Sequence, residues 1–548
     1  MDLKTKLKLA HRALNKERWS DLAEVMRSAV DENRDELTYQ QCFTAAQVLH
    51  DKDGFQQQSL ELAQLALRKD PKRVEALEVM YFIFFSSENS KNLDQCRGIL
   101  ELLFQNSTSP ELTQKYNRWN LYLANKEGNS AEIVRMYQED CLGISEDIPD
   151  ASQAVFGVTI ALLTYNMVKE ARELVSRFFP EPQDDDANQL NCHAKLCAAE
   201  GRVNEALEYF SMVENLGGEH NGVEGTWNKS LLELSIGHLE SGWSNYEVRW
   251  EWDGFPTFKP NFSIDKWEGH SLAGRAILLW GEQGIGDELL FSTLIPEVLK
   301  LRPERIGLAM TQKILPVMRS WFPEAELFPL TDLKDNLNTL ETHFDCHLPL
   351  GSLPLKLKQF SVGGEKRYLG MGPSVNRLKE SLSSHNQKKF TKIVGLSWRS
   401  GVLTYTRVGH YISADAMVNI IEEAPDDVLF VSLQYSLTDD ERSILEATGQ
   451  CFCPTEDLYN DVLAQSFYVR CCDLIITSSS VCFGLSGICN VPTITWGPRG
   501  MWTLLGDQTT AYPWFPNVHY IRCETAWDMG ALLNSIKRLA LKFYTFRH

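Results

Sequence analysis

The spacing of apolar residues changes character near residue 250. Before that point, apolar side chains recur every three to four positions, which is the period of an amphipathic helix. Within residues 57–85, Leu60, Ala63 and Leu67 share one helix face, and Asp70-Pro71 ends that helix before another begins. The first 252 residues are therefore predicted to be helical.

The helices are predicted to form pairs joined by a glycine or a short polar turn. Residues 196–218 turn at Gly201 and then place Ala206 and Tyr209 on one stripe, and residues 227–252 turn at Gly237. Helix pairs with small residues at their contacts are typical of α-solenoids, and these segments resemble tetratricopeptide repeats. A solenoid would offer a concave surface to a peptide or protein, whereas a plain helical bundle is the alternative.

After a connector at 253–275, short β-rich runs alternate with helical patterns. A polar stretch at 379–389 separates them into two sets. The predicted strands are Ala276–Trp280, Arg305–Met310, Ala325–Leu330 and His343–Leu350 in the first set, and Lys392–Trp398, Val428–Gln434, Asp473–Ser478, Pro492–Trp496 and Val518–Arg522 in the second.

This alternation favours parallel sheets with right-handed crossovers. The predicted fold class is α plus α/β: a helical repeat domain (1–252), the connector, an N-terminal lobe (276–385) and a C-terminal lobe (386–548). Two such lobes leave a cleft between the carboxyl ends of their strands. The final amphipathic helix, Trp527–Phe543, is expected to be able to cross back over that cleft.

Composition and charge narrow the function. The 548 residues carry a formal net charge of −19, which argues against sequence-independent binding to nucleic acid phosphates. There is no apolar run of transmembrane length and no secretory signal pattern, so the protein is expected to be cytoplasmic. The thirteen cysteines lack zinc-ligand spacing and are interpreted as reduced thiols.

Several motifs in order carry a family resemblance that extends from about Gly201 to the C-terminus. They are RVNEALEYF, GHLESGWSNYEVRWE, WEGHSLAGRAILLWGEQGIGDELLFSTLIPEV, FDCHLPLGSLPL, IVGLSWRSG, FVSLQ, DLIITSSSVCFGLSGICNVPTITWGP and AYPWFPNVHYIRC. The chain resembles bacterial tetratricopeptide proteins whose C-terminal half is similar to the ADP-heptose:lipopolysaccharide heptosyltransferases. It also resembles, more distantly, tetratricopeptide-fused protein O-glycosyltransferases such as flagellin-modifying enzymes. The resemblance implies a two-lobed GT-B fold and inverting, metal-independent sugar transfer from a nucleotide-sugar.

Asp287 is the predicted base. It follows the first predicted strand in the glycine-rich turn GEQGIGD, at the position where the heptosyltransferases carry their proposed base. Gly284 and Gly286 are expected to let the backbone approach the sugar or the acceptor. A free aspartate is a weak base, so the residue would need burial at the cleft. The alternatives are that Asp287 only caps the following helix, or that Glu282 or Glu288 is the base.

The second lobe is predicted to hold the donor. Ser397 and Arg399 end a buried strand, and Arg399 or Arg407 would neutralise the diphosphate and stabilise the departing nucleotide. Polar groups at a strand's carboxyl end lie where such sheets bind ligands.

A run of three serines forms the second element of the predicted donor site. Ser478, Ser479 and Ser480 lead from a strand into a helix, whose N-terminus would attract an anion. The relatives usually carry Asp-Thr at the positions of Ser479 and Ser480, and His at that of Gly484. These departures leave open altered donor geometry or lost activity, and a plain serine N-cap is the simpler interpretation.

Further candidates line the pocket. Gln434 follows a strand and is predicted to contact the nucleotide, and Trp496 and Gly497 end another strand. His347 is a candidate on the acceptor side, with a satisfied core histidine as the alternative. The Asp-x-Asp at 184–186 lies in a polar linker and is interpreted as a solvated loop, so no metal and no other cofactor is expected.

These features predict a glycosyltransferase that transfers a sugar from a nucleotide-sugar to an acceptor. The repeats favour a protein acceptor, such as flagellin or another surface protein. One alternative is a catalytically inactive scaffold that keeps the fold, and another is a transferase acting on a glycolipid or polysaccharide.

Overall fold

The chain forms two compact units, Met1–Ala161 and Leu162–His548. The computed structural model describes residues 2–86, 90–145, 148, 150–165, 167–216, 222–252, 255, 257–361, 366–385, 388–400, 411–498, 500–523 and 529–545.

The first unit consists of helices joined by short turns. Thr38 begins α3 with a reciprocal capping box, and Ser109 caps α7. Close packing of α3 and α4 depends on small buried residues, since Ala46 and Ala63 are fully buried and Ser59 donates to the carbonyl of Ala46 at 2.7 Å. The helices are α1 (Leu3–Leu14), α2 (Trp19–Asn33), α3 (Tyr39–Leu49), α4 (Gln56–Lys69), α5 (Glu75–Phe85), α6 (Ser90–Gln105), α7 (Pro110–Lys126), α8 (Ser130–Gln138) and α9 (Ala151–Thr164), which spans the division between the units.

The second unit begins with more helices of the same kind. Gly201 and Gly237 adopt φ angles of 77° and 90° at the predicted turns, a conformation that favours glycine. Both turns are therefore confirmed. The helices are α10 (Val168–Phe178), α11 (Ala187–Ala199), α12 (Val203–Asn215), α13 (Val223–Ile236) and α14 (Leu239–Tyr246), followed by a 3-10 turn at Glu247–Trp250.

The N-terminal lobe is built on a five-stranded sheet, in the order β1-β5-β2-β3-β4, whose neighbouring strands are all parallel. The two strands with the longest apolar runs, β2 and β3, have the predicted bounds. The elements are β1 (Asp265–Lys266), β2 (Ala276–Trp280), α15 (Ile285–Ser292), α16 (Ile295–Lys300), β3 (Arg305–Met310), a 3-10 turn (Gln312–Ile314), α17 (Leu315–Trp321), β4 (Glu326–Pro329), α18 (Asp332–Asp335), α19 (Leu337–Glu341), β5 (Cys346–Pro349), a second 3-10 turn (Leu350–Ser352) and α20 (Leu353–Lys356).

The C-terminal lobe has a seven-stranded sheet in the order β11-β12-β10-β9-β6-β7-β8, parallel except where β11 meets β12. Its elements are α21 (Pro373–Leu382), β6 (Lys392–Ser397), α22 (Ala414–Glu422), β7 (Val428–Ser432), α23 (Asp439–Ala447), β8 (Cys451–Phe452), α24 (Val462–Cys471), β9 (Leu474–Thr477), α25 (Val481–Ile488), β10 (Thr493–Pro498), a 3-10 turn (Trp502–Leu504), β11 (Ala511–Tyr512), β12 (Phe515–Cys523) and α26 (Met529–Thr545).

Two details differ from the sequence-based expectation. The polar stretch 379–389 begins inside α21, because Leu382 is buried and Lys379 pairs with Asp473 at 2.7 Å. The last helix packs on α22 and β12 of its own lobe, where Ile536 and Ala540 are buried, so the described contacts do not support a role across the cleft.

One hydrophobic core joins both lobes and the hairpin formed by α13 and α14. It includes Trp243 from the hairpin, Leu289 and Phe291 from the N-terminal lobe, and Phe483 and Trp514 from the C-terminal lobe. Side chains of both lobes therefore pack together in this core. The predicted fold class is confirmed: helical repeats precede two α/β lobes built on largely parallel sheets.

Candidate functional site

The turn between β2 and α15 brings the predicted base to the carboxyl edge of the first sheet. Gly281 continues the strand pairing, since its N–H donates to the carbonyl of Ala309 at 2.8 Å. Gln283 adopts a φ of 62°, which is uncommon for a residue with a side chain, and Gly284 begins α15 in an extended conformation. A Cβ added at Gly284 or Gly286 would meet open space, so these two positions border the open side of the turn.

Asp287 lies in the first turn of α15, partly buried. The N-cap position belongs to Gly284, so Asp287 is not the cap of this helix. The carboxylate acts electrostatically on Tyr246 of α14 and on Tyr512 of the C-terminal lobe. The pKa of Tyr512 is raised first by burial and further by Asp287. The charge of Asp287 therefore acts on a residue of the second lobe.

The neighbouring Glu288 is fully enclosed. Its Oε1 accepts hydrogen bonds from the Thr311 N–H at 3.1 Å and the Thr311 hydroxyl at 2.9 Å. Burial raises its pKa from 4.5 to about 7, against the hydrogen bonds from Thr311 that lower it. A Cβ at Gly281 would lie 2.2 Å from this carboxylate, which is why glycine is needed there. Glu288 thus fastens α15 to the end of β3.

Glu282 has a structural pairing. Its two oxygens accept from Nε and Nη2 of Arg249 at 2.8 and 2.9 Å, and both side chains are fully buried. This engagement argues against the alternative in which Glu282 is the base.

His347 is held as a neutral core residue. Its Nδ1 accepts from the indole N–H of Trp280 at 3.2 Å, and its ring stacks on Phe262 with centroids 3.7 Å apart. Burial lowers its pKa to about 4. These contacts favour the satisfied-histidine interpretation, and a role on the acceptor side stays a prediction.

Hydroxyl groups from the second sheet gather at its carboxyl edge. Ser397 ends β6 and is fully buried, and the Ser478 N–H pairs with the Ser397 carbonyl at 2.8 Å. Within the described part of the chain, the buried hydroxyl of Ser478 has no hydrogen-bond partner. Ser479 is exposed, and Ser480 is the N-cap of α25 without a side-chain capping bond. A buried unpaired hydroxyl is costly unless water or a ligand satisfies it.

Gln434 follows β7, beside the end of β6. Its Oε1 accepts from the backbone N–H groups of Trp398 and Arg399 at 3.1 and 3.0 Å, which ties the end of β7 to the end of β6. Gln434 also lines a cavity of about 190 Å³ at the ends of β7 and β8. Other lining residues are Ser432, Tyr435, Ser436, Leu437, Arg442, Pro454, Glu456, Asp457 and Leu458.

Arg399 is already paired. Its Nε donates to Glu441 at 3.0 Å and its Nη2 donates to the Ser436 carbonyl at 3.0 Å, while the side chain is 14 % exposed. To bind a diphosphate, the guanidinium would have to exchange these partners. Arg407, the rival cation, lies outside the described residues.

Trp496 and Gly497 occupy β10. Trp496 is buried in the hydrophobic cluster that includes Ile536 and Ala540 of the last helix, so its ring is part of the core. A Cβ at Gly497 would lie 2.3 Å from the hydroxyl of Tyr520, so a larger residue would not fit beside that phenol. A contact of either residue with a ligand stays a prediction.

The two site helices touch directly. A Cβ at Gly484 of α25 would lie 2.9 Å from Cδ1 of Leu289 on α15, so glycine permits the close approach. Beside this contact, Phe483 packs edge-on against Tyr512 at 4.9 Å. The helices α15 and α25 therefore pack against each other, with Asp287 in the first turn of one and Ser480 as the N-cap of the other.

Sequence reasoning missed the residues that support this site. Tyr246, Arg249 and Thr311 each bond to the Gly281–Glu288 segment, from 23 to 37 positions away in the chain. Tyr246 and Arg249 lie in the motif GWSNYEVRWE, but the motif does not indicate which residues they contact.

The chain is similar in part to a curated protein and to solved structures of glycosyltransferases. No family model matches the chain. Protein FlbA of Caulobacter vibrioides is 25 % identical over 344 residues, which are 58 % of this chain and 54 % of FlbA, so the chain spans about half the length of that curated relative. Among solved structures, the glycosyl transferase family 9 protein of Veillonella parvula has 11 % identity and a TM-score of 0.38, covering 50 % of this chain and 99 % of its own. The Escherichia coli ADP-heptose lps heptosyltransferase II has 12 % identity and a TM-score of 0.38, covering 49 % of this chain and 99 % of its own.

The region that these structures cover contains the two parallel α/β lobes. In the Asp-x-Asp at 184–186, Asp186 is the N-cap of α11. Its side chain accepts hydrogen bonds from the N–H groups of Asn188 and Gln189. Within the described ranges, no group of three or more His, Cys, Asp or Glu side chains is placed to hold a metal ion. Nor does any helix in those ranges have the length and apolar character needed to cross a bilayer.

Proposed function

We propose that this protein is an inverting, metal-independent glycosyltransferase. It transfers a sugar from a nucleotide-sugar bound by the C-terminal lobe to an acceptor hydroxyl presented at the N-terminal lobe. The repeat helices hold the acceptor, which we take to be a protein such as flagellin or another surface protein.

The observation that carries this proposal is the position of Asp287 opposite the second lobe. Asp287 lies on α15, which packs on α25 of the second lobe where Leu289 meets Gly484, and its charge adds to the burial that raises the pKa of Tyr512. In the proposed reaction, Asp287 accepts the proton of the acceptor hydroxyl while its oxygen attacks the anomeric carbon. The bond from that carbon to the phosphate oxygen breaks, and its electron pair leaves with the nucleotide.

The donor side has the groups that a departing phosphate needs. The N-terminus of α25 and the hydroxyls of Ser478 and Ser480 would stabilise the negative charge that develops on the leaving group. The cavity beside Gln434 would take the nucleoside end. Arg407, and Arg399 after release from Glu441, are the proposed diphosphate partners.

A second candidate is an inactive scaffold that keeps the GT-B fold. Two observations favour it: Arg399 is engaged by Glu441, and Gly484, where the relatives carry His, is packed against Leu289. A donor-binding measurement separates the two functions.

The test is thermal unfolding of the full chain with UDP-, GDP-, ADP- and CMP-sugars. A donor present at 100 times its Kd should stabilise the folded protein by about 2.7 kcal/mol. Ser480→Ala should abolish most of this shift while costing little stability, because the Ser480 side chain makes no capping bond. The matched control is Ser413→Ala, which removes a real cap bond to Ala416 on α22, costs about 1 kcal/mol and should leave the shift unchanged.

Transfer itself is tested by intact mass of an acceptor co-expressed with the wild-type protein or with Asp287→Asn. The proposal expects a sugar increment only with the wild type. A donor shift of zero with all four nucleotide classes supports the scaffold, and an increment that persists in Asp287→Asn excludes Asp287 as the base.

A further inference from the structure

The last helical hairpin makes an unusually complete contact with the N-terminal lobe. Arg249, in the 3-10 turn after α14, is fully buried and uses all five of its N–H groups. Nε and one Nη2 hydrogen bind Glu282, the other Nη2 hydrogen binds the Ser352 hydroxyl at 3.0 Å, and Nη1 donates to the Glu247 carboxylate and the Tyr246 carbonyl at 2.9 and 3.1 Å. Because Arg249 donates two parallel hydrogen bonds to the Glu282 carboxylate, it fixes the orientation of that carboxylate as well as its distance.

Its partner, Glu282, belongs to the turn that precedes Asp287. A Cβ at Gly351 would lie 2.3 Å from Oε1 of Glu282, so the carboxylate is wedged between the arginine and the backbone after β5. Ser352 closes the network by donating to Glu247 at 2.6 Å. The turn is therefore fixed at residue 282 between Arg249 and the backbone at Gly351.

The next residue of the turn, Gln283, is held by the hairpin and by the connector. Gln283 keeps its positive φ with two hydrogen bonds: its N–H donates to the Thr257 hydroxyl at 2.7 Å, and its side-chain amide donates to the Tyr246 hydroxyl at 2.9 Å. Without such partners, a non-glycine residue would rarely stay in this conformation.

The hairpin contacts the other lobe as well. Trp243 packs edge-on against Trp502 and Trp514 with centroids 6.1 and 6.3 Å apart. At the tip of the hairpin, Gly237 lies against Gly506, where a Cβ would come within 2.4 Å of the Gly237 Cα. The hairpin thus touches both sides of the candidate site.

We propose that Tyr246 and Arg249 are positioning residues for Asp287, and that the α13–α14 hairpin is part of the transfer machinery rather than of the acceptor-binding repeats. This inference rests on the proposed function. The hairpin sets the β2–α15 turn, and through it the direction of the carboxylate, while its other face holds the C-terminal lobe.

The test compares Tyr246→Phe and Arg249→Lys with the wild type in donor-dependent nucleotide release, using the donor that gives the thermal shift and a co-expressed acceptor. Tyr246→Phe keeps the ring and removes only the hydroxyl that receives Gln283. Arg249→Lys keeps the charge but loses the fork. Each variant should lower kcat by about 10-fold to 100-fold with little change in the donor KM, because small misplacements of a reacting group cost that much. The acid limb of the pH–rate profile should also move, since the surroundings of the base change.

Tyr81→Phe is the matched control. Tyr81 is equally buried, its hydroxyl donates to the Trp119 carbonyl at 2.8 Å, and it lies in the first compact unit. Its loss should reduce stability and leave kcat and the pH profile unchanged. Activities are normalised to the folded fraction from circular dichroism, because a merely structural role would scale the pH profile without moving it.

The outcomes are distinct. Wild-type kcat and an unmoved pH profile in Tyr246→Phe, with Asp287→Asn inactive, would overturn the positioning role and leave the proposed function standing. A wild-type protein that releases no nucleotide from any donor would overturn the proposed function, and this inference with it.

Discussion

The burial of the Glu288 carboxyl predicts how the free energy of unfolding depends on pH. Glu288 is 1 % exposed, and it faces Thr311, Gly281 and the carboxylate of Asp287. Burial raises its pKa from 4.5 to about 7, and the negative charge of Asp287 adds to that effect. The folded protein therefore keeps this acid protonated at a pH where the unfolded chain has already lost the proton.

The sign and size follow from linkage. Because the pKa of Glu288 is raised on folding, this residue adds to the free energy of unfolding at low pH. Its contribution is fully present below pH 4.5 and is lost as the pH rises through about 7. At 1.36 kcal/mol for each pKa unit, the change across that window is about 3 kcal/mol. A glutamine at this position does not titrate, so Glu288→Gln removes the pH dependence that belongs to this residue.

The assay is urea unfolding of the full-length wild type and Glu288→Gln at several pH values from 5 to 8. The wild type should lose about 2 to 3 kcal/mol relative to the variant over this range. The control is Glu326→Gln, which changes a half-exposed glutamate of β4. Its free energy of unfolding should stay within about 0.5 kcal/mol of the wild-type value at every pH. The argument would be refuted if the difference in free energy of unfolding between the wild type and Glu288→Gln did not change with pH. It would also be refuted if the wild type became more stable relative to the variant as the pH rose.

Two further predictions concern packing and a second titrating group. Gly506→Ala should destabilise the protein by about 1 to 3 kcal/mol more than Gly449→Ala in urea unfolding, because both glycines have positive φ but only Gly506 would overlap the Gly237 backbone. Equal losses would contradict the close hairpin contact. Since burial lowers the pKa of His347 to about 4, wild-type stability should fall by up to about 3 kcal/mol as the pH drops from 6.5 to 4, and His347→Gln should lose less in the same acid titration. If the wild type and His347→Gln lost the same free energy of unfolding as the pH fell, His347 would titrate normally while stacked on Phe262, and the prediction would be wrong.

The central strands could be predicted because their signal is local. Ala276–Trp280 is a run of five buried apolar residues that ends at Gly281, and such a run forms a strand buried on both faces of a parallel sheet. The two-residue strands β1, β8 and β11 were missed because two residues show no alternation. Their pairing depends on neighbours that are distant in the chain.

The candidate site was predictable in part. A glycine-rich turn after a strand placed Asp287 at the correct edge of the sheet, and the serine run began a helix as expected. The pairing of Arg399 with Glu441 spans 42 positions, and no local pattern marks it. Gly484 was interpreted as a lost histidine, whereas the structure gives it a packing role against Leu289 that depends on the approach of two separate lobes.

The most direct test of the account is a mass-spectrometric comparison of glycosylated proteins in cells that carry the wild-type gene, lack the gene, or carry Asp287→Asn. We expect one acceptor protein to bear a sugar increment only in the wild-type cells, with the Asp287→Asn protein present at normal abundance. An increment of equal occupancy in all three cell lines would contradict the claim that this chain transfers a sugar with Asp287 as its base.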